Sequence, residues 1–128
     1  MLLLFVRGDW CPSCHIMLRT YQKNREKFQE KNVFVLAIGP DPVDVNKQMV
    51  TSLGLEFKIL ADIKQEVVKL FGVQMQDSNF MVKYEAGVPM PASFLVDKSG
   101  VVRYTSRADR AGDFLNPNKI FDVLATLN

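Results

Sequence analysis

Two residues separate the only two cysteines of this 128-residue chain, in the order Cys11-Pro12-Ser13-Cys14. A structural disulfide gains stability from the length of the loop that it closes, so a pair this close in sequence gains little from bridging. Cysteines at the C-x-x-C spacing, in a chain where strands alternate with helices, are typical of thiol redox sites. Cys11 and Cys14 are therefore the candidate catalytic residues.

The residues around the pair predict a thiolate at the start of a helix. The apolar run Leu2–Val6 is typical of a strand buried on both faces, and Pro12 suits the first turn of the helix that follows. Free backbone N–H groups and the positive end of the helix dipole favour an anion there. Such a thiolate attacks disulfides or peroxides, and the second cysteine then resolves the mixed disulfide or the sulfenic acid.

Three other interpretations of the motif stay open. With His15 the string also matches the C-x-x-C-H motif of c-type haem attachment, although His15 is the only histidine. A structural zinc site needs four ligands, and the sequence has no second cluster of Cys or His, so we expect no metal. The third interpretation is an inert buried pair. The redox interpretation requires no cofactor.

Composition limits the partners. Lys and Arg number 16 and Asp and Glu 14, and the resulting net charge of +2 gives no field that would attract nucleic acid. No apolar run is long enough to span a bilayer, so we expect no membrane contact within this chain. Hydrophobic residues make up 48%, which fits one soluble domain over residues 1–128.

Strands alternate with helices until a final hairpin and helix, which predicts an α/β fold with a central mixed sheet flanked by helices. Residues 74–87 have no clear period and are expected to form an irregular insertion with a short strand from Phe80 to Tyr84. Arg107, Asp109 and Arg110 are expected in a solvated loop. The other predicted elements are strands at 2–6, 33–38, 57–60, 92–96 and 101–104 and helices at 13–30, 43–53, 62–71 and 119–127.

Met1 begins directly on a predicted core strand. We therefore expect the chain to be an excised domain or a truncated sequence. Any address label would then have been in the missing part, which leaves the compartment open. The chain itself has no signal peptide or spanning segment, which favours the cytoplasm.

Two segments carry a resemblance to a known family. Residues 7–14, Arg7-Gly8-Asp9-Trp10-Cys11-Pro12-Ser13-Cys14, resemble the active-site segment of the peroxiredoxin-like alkyl hydroperoxide reductase/thiol-specific antioxidant family. Residues 91–103 resemble the proline, strand and hairpin of that family and of membrane-tethered thioredoxin-like reductases. The resemblance implies a thioredoxin-like fold with a peroxiredoxin-like insertion. It also implies that an N-terminal strand and helix of the full family fold are absent.

The resemblance implies roles for residues outside the cysteine pair. Pro91 falls where thioredoxin-fold enzymes have a cis-proline facing the cysteines, and Met90 falls where the backbone pairs with the substrate chain. Trp10 matches the tryptophan that shields the cysteines, and Pro12 belongs to the motif that shapes the site. An ordinary turn at Pro91 and plain packing of Trp10 are the structural alternatives.

The resemblance assigns the cysteines in two ways. In thioredoxin-like reductases the first cysteine, here Cys11, is the nucleophile. In peroxiredoxins the peroxidatic position falls on Cys14, with Cys11 resolving, but Cys11 then replaces the usual Thr or Ser and Arg7 replaces a proline. We therefore favour disulfide exchange through Cys11, with peroxide reduction through Cys14 as the alternative. The substrate would be a protein disulfide or a hydroperoxide, and the electron donor a thioredoxin- or glutathione-type thiol.

Overall fold

The computed structural model describes residues 1–76, 84, 86–107 and 117–127. Its helices and strands, in chain order, are β1 (Leu2–Phe5), α1 (Pro12–Lys23), α2 (Arg25–Glu30), β2 (Val35–Gly39), α3 (Val43–Leu53), β3 (Ile59–Ala61), α4 (Glu66–Leu70), β4 (Gln74–Met75), β5 (Val88–Pro89), β6 (Ala92–Val96), β7 (Val102–Arg107) and α5 (Pro117–Thr126).

Five strands form one mixed sheet in the order β3-β2-β1-β6-β7. The strands β1, β2 and β3 are parallel, β6 runs antiparallel to β1, and β7 pairs antiparallel with β6. The strands β4 and β5 form a separate two-stranded pair. The architecture confirms the predicted α/β fold with a central mixed sheet flanked by helices, and confirms the β6–β7 hairpin.

Both faces of the central strand β1 are covered, which explains its unbroken apolar sequence. Leu2 and Leu4 point into a core shared with α1, α2 and α5, which also contains both cysteines. Leu3 and Phe5 point into a second core on the opposite face, where Phe5 packs edge-on against Phe94 at a centroid distance of 5.6 Å. The first strand of the sheet is thus anchored on both sides immediately before the cysteine motif.

The predicted helix over 13–30 is wrong in one respect, because it is divided at Asn24. Asn24 adopts φ −98° and ψ 7°, and its side-chain amide donates to the Thr20 carbonyl at 2.8 Å. The apolar spacing runs on through the break, since Tyr21 and Phe28 both reach the same core and stack at 5.9 Å. The hydrophobic pattern therefore could not reveal the division.

The helix predicted over 62–71 is shorter in the structure, because α4 begins at Glu66. The residue before the helix is Gln65, in the left-handed conformation with φ 56°. Asp62 lies outside the helix, and its carboxylate accepts a hydrogen bond from Val68 N, in the first turn of α4, at 2.9 Å. Gln65 is fully buried, and its amide donates to the Gly87 carbonyl at 2.6 Å, which ties the end of the insertion to the body of the domain.

The β4–β5 pair joins the start of the insertion to the residues that follow it, and the sequence did not predict this pair. Most of the strand expected from Phe80 to Tyr84 lies outside the described residues, and Tyr84 itself belongs to no strand. Arg107 ends β7 rather than starting a loop, whereas Asp109 and Arg110 lie outside the described residues. None of the described helices is long and apolar enough to cross a membrane.

Candidate active site

The sheet topology gathers three segments at one end of the molecule. Parallel strands β1 and β2 end side by side, with Phe5 opposite Ile38, and their chains continue into the cysteine motif and into Asp41. Because β6 runs antiparallel, with Ala92 opposite Phe5, the residues that precede β6 lie at the same end. The carboxyl ends of parallel strands are where α/β proteins commonly bind ligands.

Cys11 is the residue that caps α1. Its backbone is extended, and its sulfur accepts a hydrogen bond from Cys14 N at 3.3 Å, while Pro12 occupies the first turn as expected. The Ser13 hydroxyl lies 3.2 Å from the same sulfur. The Cys14 thiol, the Ser13 hydroxyl and the Cys14 N–H together outweigh burial and lower the pKa of Cys11 to about 5. A thiol held in this way is ionised at neutral pH and is nucleophilic.

Cys14 lies one turn further into the core and is 1% exposed, against 3% for Cys11. Its sulfur accepts a hydrogen bond from Arg7 N at 3.3 Å. The pKa of Cys14 is raised, first because its thiol donates to the Cys11 sulfur and second because the group is buried. The pair is therefore asymmetric, with the negative charge on Cys11 and the proton on Cys14. Both thiols are free in this structure.

Arg7 brings a positive charge beneath the cysteines. The residue is only 4% exposed, and its guanidinium carbon lies 5.4 Å from the centre of the Trp10 ring. Its charge makes a smaller contribution that lowers the pKa of both thiols. Trp10 is half-buried and packs against the core that contains the cysteines.

A polar network that the sequence did not predict fixes the residues immediately before Cys11. The Asp41 carboxylate accepts from Asp9 N at 2.7 Å and from the Tyr84 hydroxyl at 2.7 Å, and that hydroxyl accepts from Trp10 Nε1 at 2.9 Å. Burial, followed by the hydrogen bond to Asp41, raises the pKa of Tyr84, which keeps its proton on oxygen. Asp41 had a signal in the sequence, because it follows a buried strand that is parallel to β1. Tyr84 had none.

His15 is occupied within the protein. Its Nε2 lies 2.6 Å from the Asp9 carbonyl oxygen, so the ring ties the first turn of α1 back to the preceding loop. Thioether attachment of haem requires both cysteine sulfurs and an axial nitrogen to face a porphyrin. Here both sulfurs lie buried against backbone N–H groups. The geometry of these residues does not fit a haem site.

Met90 and Pro91 lie at the same sheet end, but the expected cis-proline is wrong. The described residues contain no cis peptide bond, so Pro91 follows Met90 in trans. Met90 N donates to the Val73 carbonyl at 2.7 Å, and strands flank the Met90-Pro91 pair on both sides. An extended chain held in this way accommodates the trans form, which an X–Pro bond favours by about 0.5–1 kcal/mol. Pro91 is buried and Met90 is half-buried.

Metal ligands do not cluster in the described part of the chain. No group of three or more His, Cys, Asp or Glu side chains there is arranged to hold a metal ion.

A C-x-x-C pair that begins the first helix of a mixed sheet, with one thiol prepared to ionise, defines the class of thiol-dependent oxidoreductases with a thioredoxin-like fold. Comparison with known proteins narrows the class. The sequence model of the AhpC/TSA family matches residues 1–105, and the chain belongs to this family.

Two kinds of relative resemble the chain in sequence. The thiol-disulfide oxidoreductase ResA of Bacillus anthracis is 30% identical over 96 residues, which cover 74% of this chain and 47% of ResA. The putative peroxiredoxin bcp of Buchnera aphidicola is 32% identical over 102 residues, or 80% of this chain and 63% of that protein. The chain thus spans about half to two thirds of the length of these relatives.

Solved structures share the fold at low sequence identity. The peroxidoxin BcpB of Mycobacterium tuberculosis superposes with a TM-score of 0.81 at 17% identity, over 99% of this chain and 79% of its own. The AhpC of Enterococcus faecalis also gives a TM-score of 0.81, at 23% identity, over 98% of this chain and 72% of its own. These likenesses confirm the thioredoxin-like fold.

Proposed function

We propose that the chain is a thiol–disulfide oxidoreductase in which Cys11 is the nucleophile and Cys14 is the resolving thiol. The observation that carries this proposal is the asymmetry of the pair. Three hydrogen-bond donors face the Cys11 sulfur and its pKa is lowered to about 5, whereas the pKa of Cys14 is raised. A nucleophile that is ionised beside a protonated partner is the ground state that dithiol exchange requires.

The reaction takes two steps. The Cys11 thiolate attacks one sulfur of a substrate disulfide, which forms a Cys11–substrate disulfide and releases the other substrate sulfur as a thiolate. Cys14 then loses its proton to the solution and attacks the Cys11 sulfur, which forms the Cys11–Cys14 disulfide and releases the second substrate thiolate. The substrate gains two electrons and the pair loses two. A thiol donor outside the chain must return them.

The substrate class and the donor follow from the same chemistry. A protein disulfide is the substrate that we propose, in keeping with the thiol-disulfide oxidoreductases among the relatives. The donor would be a thioredoxin- or glutathione-type thiol, since these reduce a disulfide by the same exchange. Trp10, Pro12, Met90 and Pro91 surround the sheet end from which a substrate would approach, and we propose that they shape the site.

Peroxide reduction through Cys14 is the second candidate. Peroxiredoxins among the relatives favour it, as does the backbone N–H of Arg7 that points at the Cys14 sulfur at 3.3 Å. In that reaction the Cys14 thiolate would attack the peroxide, become a sulfenic acid and be resolved by Cys11 with loss of water. The raised pKa of Cys14 and its 1% exposure make it the weaker nucleophile of the two.

Trapping tests the assignment directly. The Cys14→Ser variant, mixed with a protein disulfide such as insulin, should accumulate a mixed disulfide on Cys11 that mass spectrometry detects. The matched Cys11→Ser variant should trap nothing. In parallel, reduced wild-type protein is exposed to hydrogen peroxide. If a sulfenic acid forms on Cys14 much faster than on a free thiol, the proposal of disulfide exchange is wrong and peroxide reduction takes its place.

A further inference from the structure

We propose that Tyr84 and Asp41 are positioning residues of the dithiol site, which hold Trp10 against Arg7 and fix the turn that leads into Cys11. The inference rests on the proposed function, because it concerns the efficiency of the same thiol pair. Neither residue belongs to the C-x-x-C motif, and both come from parts of the chain far from it.

The turn that leads into Cys11 is held by hydrogen bonds to its backbone. A single carboxylate, that of Asp41, accepts from the backbone N–H of Asp9 at 2.7 Å. The Asp9 carbonyl on the other side contacts His15 Nε2 at 2.6 Å, and Cys11 N donates to the Gly8 carbonyl at 3.4 Å. The backbone immediately before Cys11 is thus fixed from two directions. The Cys11 sulfur caps α1 by accepting from the Cys14 N–H. Because the turn positions this sulfur, the conformation of the turn determines how well that hydrogen bond forms.

Trp10 contacts both Tyr84 and Arg7. The Tyr84 hydroxyl accepts a hydrogen bond from the indole N–H at 2.9 Å and donates one to the Asp41 carboxylate at 2.7 Å. The face of the indole packs against the Arg7 guanidinium, whose carbon lies 5.4 Å from the ring centre. Trp10 therefore lies between the network and the buried cation. If the indole moved outwards, water would reach Arg7 and screen its charge from the thiolate.

Burial and neighbouring hydrogen bonds keep Asp41 and Tyr84 in place. Asp41 is 3% exposed and lies two residues after the buried end of β2, and its carbonyl accepts from the Asn46 amide at 3.1 Å. Tyr84 is 8% exposed. The residues after it are held by two amides, Gln65 to the Gly87 carbonyl at 2.6 Å and Gln74 to the Ala86 carbonyl at 2.5 Å.

The close fit at Gly8 supports a designed contact rather than a chance one. A β-carbon at Gly8 would collide with both Trp10 Nε1 and the Tyr84 hydroxyl oxygen. The hydrogen bond between these two groups therefore fills the space that a side chain at Gly8 would need. The backbone there, with φ 153°, is also one that favours glycine.

The test compares Tyr84→Phe with Tyr104→Phe. Both changes remove one hydroxyl, but Tyr104 is half-buried on β7 and lies outside the network. Thiolate absorbance near 240 nm gives the titration midpoint of Cys11, and the emission of Trp10, the only tryptophan, reports its surroundings. We expect Tyr84→Phe to raise the midpoint by about 0.5 pH units, because about one net hydrogen bond is lost. Alkylation of Cys11 at pH 4.5 should slow about threefold. Trp10 emission should shift to the red.

A second pair of variants guards against a general loss of structure. Asp41→Asn should raise the Cys11 midpoint as Tyr84→Phe does, whereas Asp122→Asn on the exposed surface of α5 should not. Trp10→Phe removes the donor that Tyr84 accepts from, so combining it with Tyr84→Phe should add little to the shift of either single variant. A lower melting temperature with an unchanged Cys11 midpoint in Tyr84→Phe would overturn the inference and leave a structural role.

The outcomes separate the inference from the proposed function. If wild-type protein reduces insulin disulfides but Tyr84→Phe leaves the Cys11 midpoint unchanged, the positioning role fails alone. If Tyr84→Phe shifts the midpoint but the wild-type protein traps no disulfide, the positioning role stands and disulfide exchange fails. If Tyr104→Phe shifts the midpoint as much as Tyr84→Phe, the effect is not specific to the network and the inference is wrong.

Discussion

Cys11 caps α1 and Cys14 lies in the first turn of that helix, yet the two cysteines lie in two different regions of the molecule. Around Cys11 the region is rich in donors, since Ser13 and the Cys14 N–H both point at its sulfur. Around Cys14 the region is the apolar core, with Met17, Leu18 and one backbone N–H from Arg7. The comparison teaches that three residues of chain suffice to separate a thiolate from a thiol, because the first lies at the helix end and the second inside the fold.

The largest expected effect is on the ratio of the two alkylation rates. Reduced protein treated with iodoacetamide at pH 7 should be modified at Cys11 at least about 100-fold faster than at Cys14, because only Cys11 is ionised and it lies nearer the surface. Peptide mapping by mass spectrometry measures the ratio. Equal rates would show that the two regions do not differ in the way the structure implies.

Gly8→Ala should disturb the packing around Cys11 and leave the packing around Cys14 unchanged. The new methyl group collides with Trp10 and Tyr84, so both side chains must move, at a cost of about 2 kcal/mol in the free energy of unfolding. Urea denaturation measures that loss. Gly54→Ala is the matched control, because its β-carbon would meet nothing within 4 Å although its φ of 65° is also positive. A larger loss in Gly54→Ala would refute the steric argument.

The stability of the reduced protein should depend on pH through Cys11. Its pKa in the folded state, about 5, lies below that of a free thiol, so the folded protein binds fewer protons between these two values. The stabilisation is full above the unfolded pKa, near 8.5, and is lost as pH falls through 5. Compared with Cys11→Ser, wild-type protein should therefore gain stability from pH 5 to pH 8, by up to about 3 kcal/mol. Chemical denaturation at several pH values would reveal a flat difference if Cys11 were an ordinary thiol.

Ser13→Ala should have the smallest effect, because it removes one of several donors to Cys11. The Ser13 hydroxyl lies 3.2 Å from the sulfur, and its loss should raise the pKa of Cys11 and slow its alkylation at pH 4.5 by about two- to fivefold. Cys14 should keep its rate. The exposed Ser99 in the β6–β7 turn provides the control substitution, Ser99→Ala. A change in the Cys14 rate would show that the two regions are not independent.

Much of this site could be predicted because local signals carried it. The buried run before the motif, the C-x-x-C spacing and Pro12 together placed Cys11 at a helix start. The rest depends on tertiary contacts that leave no local pattern. Tyr84 reaches Trp10 across 74 residues of sequence, and the division at Asn24 interrupts a helix whose apolar stripe continues unbroken. Pro91 is trans because the strands that flank it are extended, which a family resemblance alone did not reveal.

Gly8 has a consequence for how this sequence can change over generations. Since the indole of Trp10 and the phenol of Tyr84 both occupy the volume next to it, and its backbone conformation favours glycine, position 8 can accept a side chain only after both rings have become smaller and the backbone has changed. Positions 8, 10 and 84 therefore share one volume, and the order of substitutions matters. A lineage in which positions 10 and 84 were shortened first could fill position 8 later, whereas the reverse order passes through a steric clash.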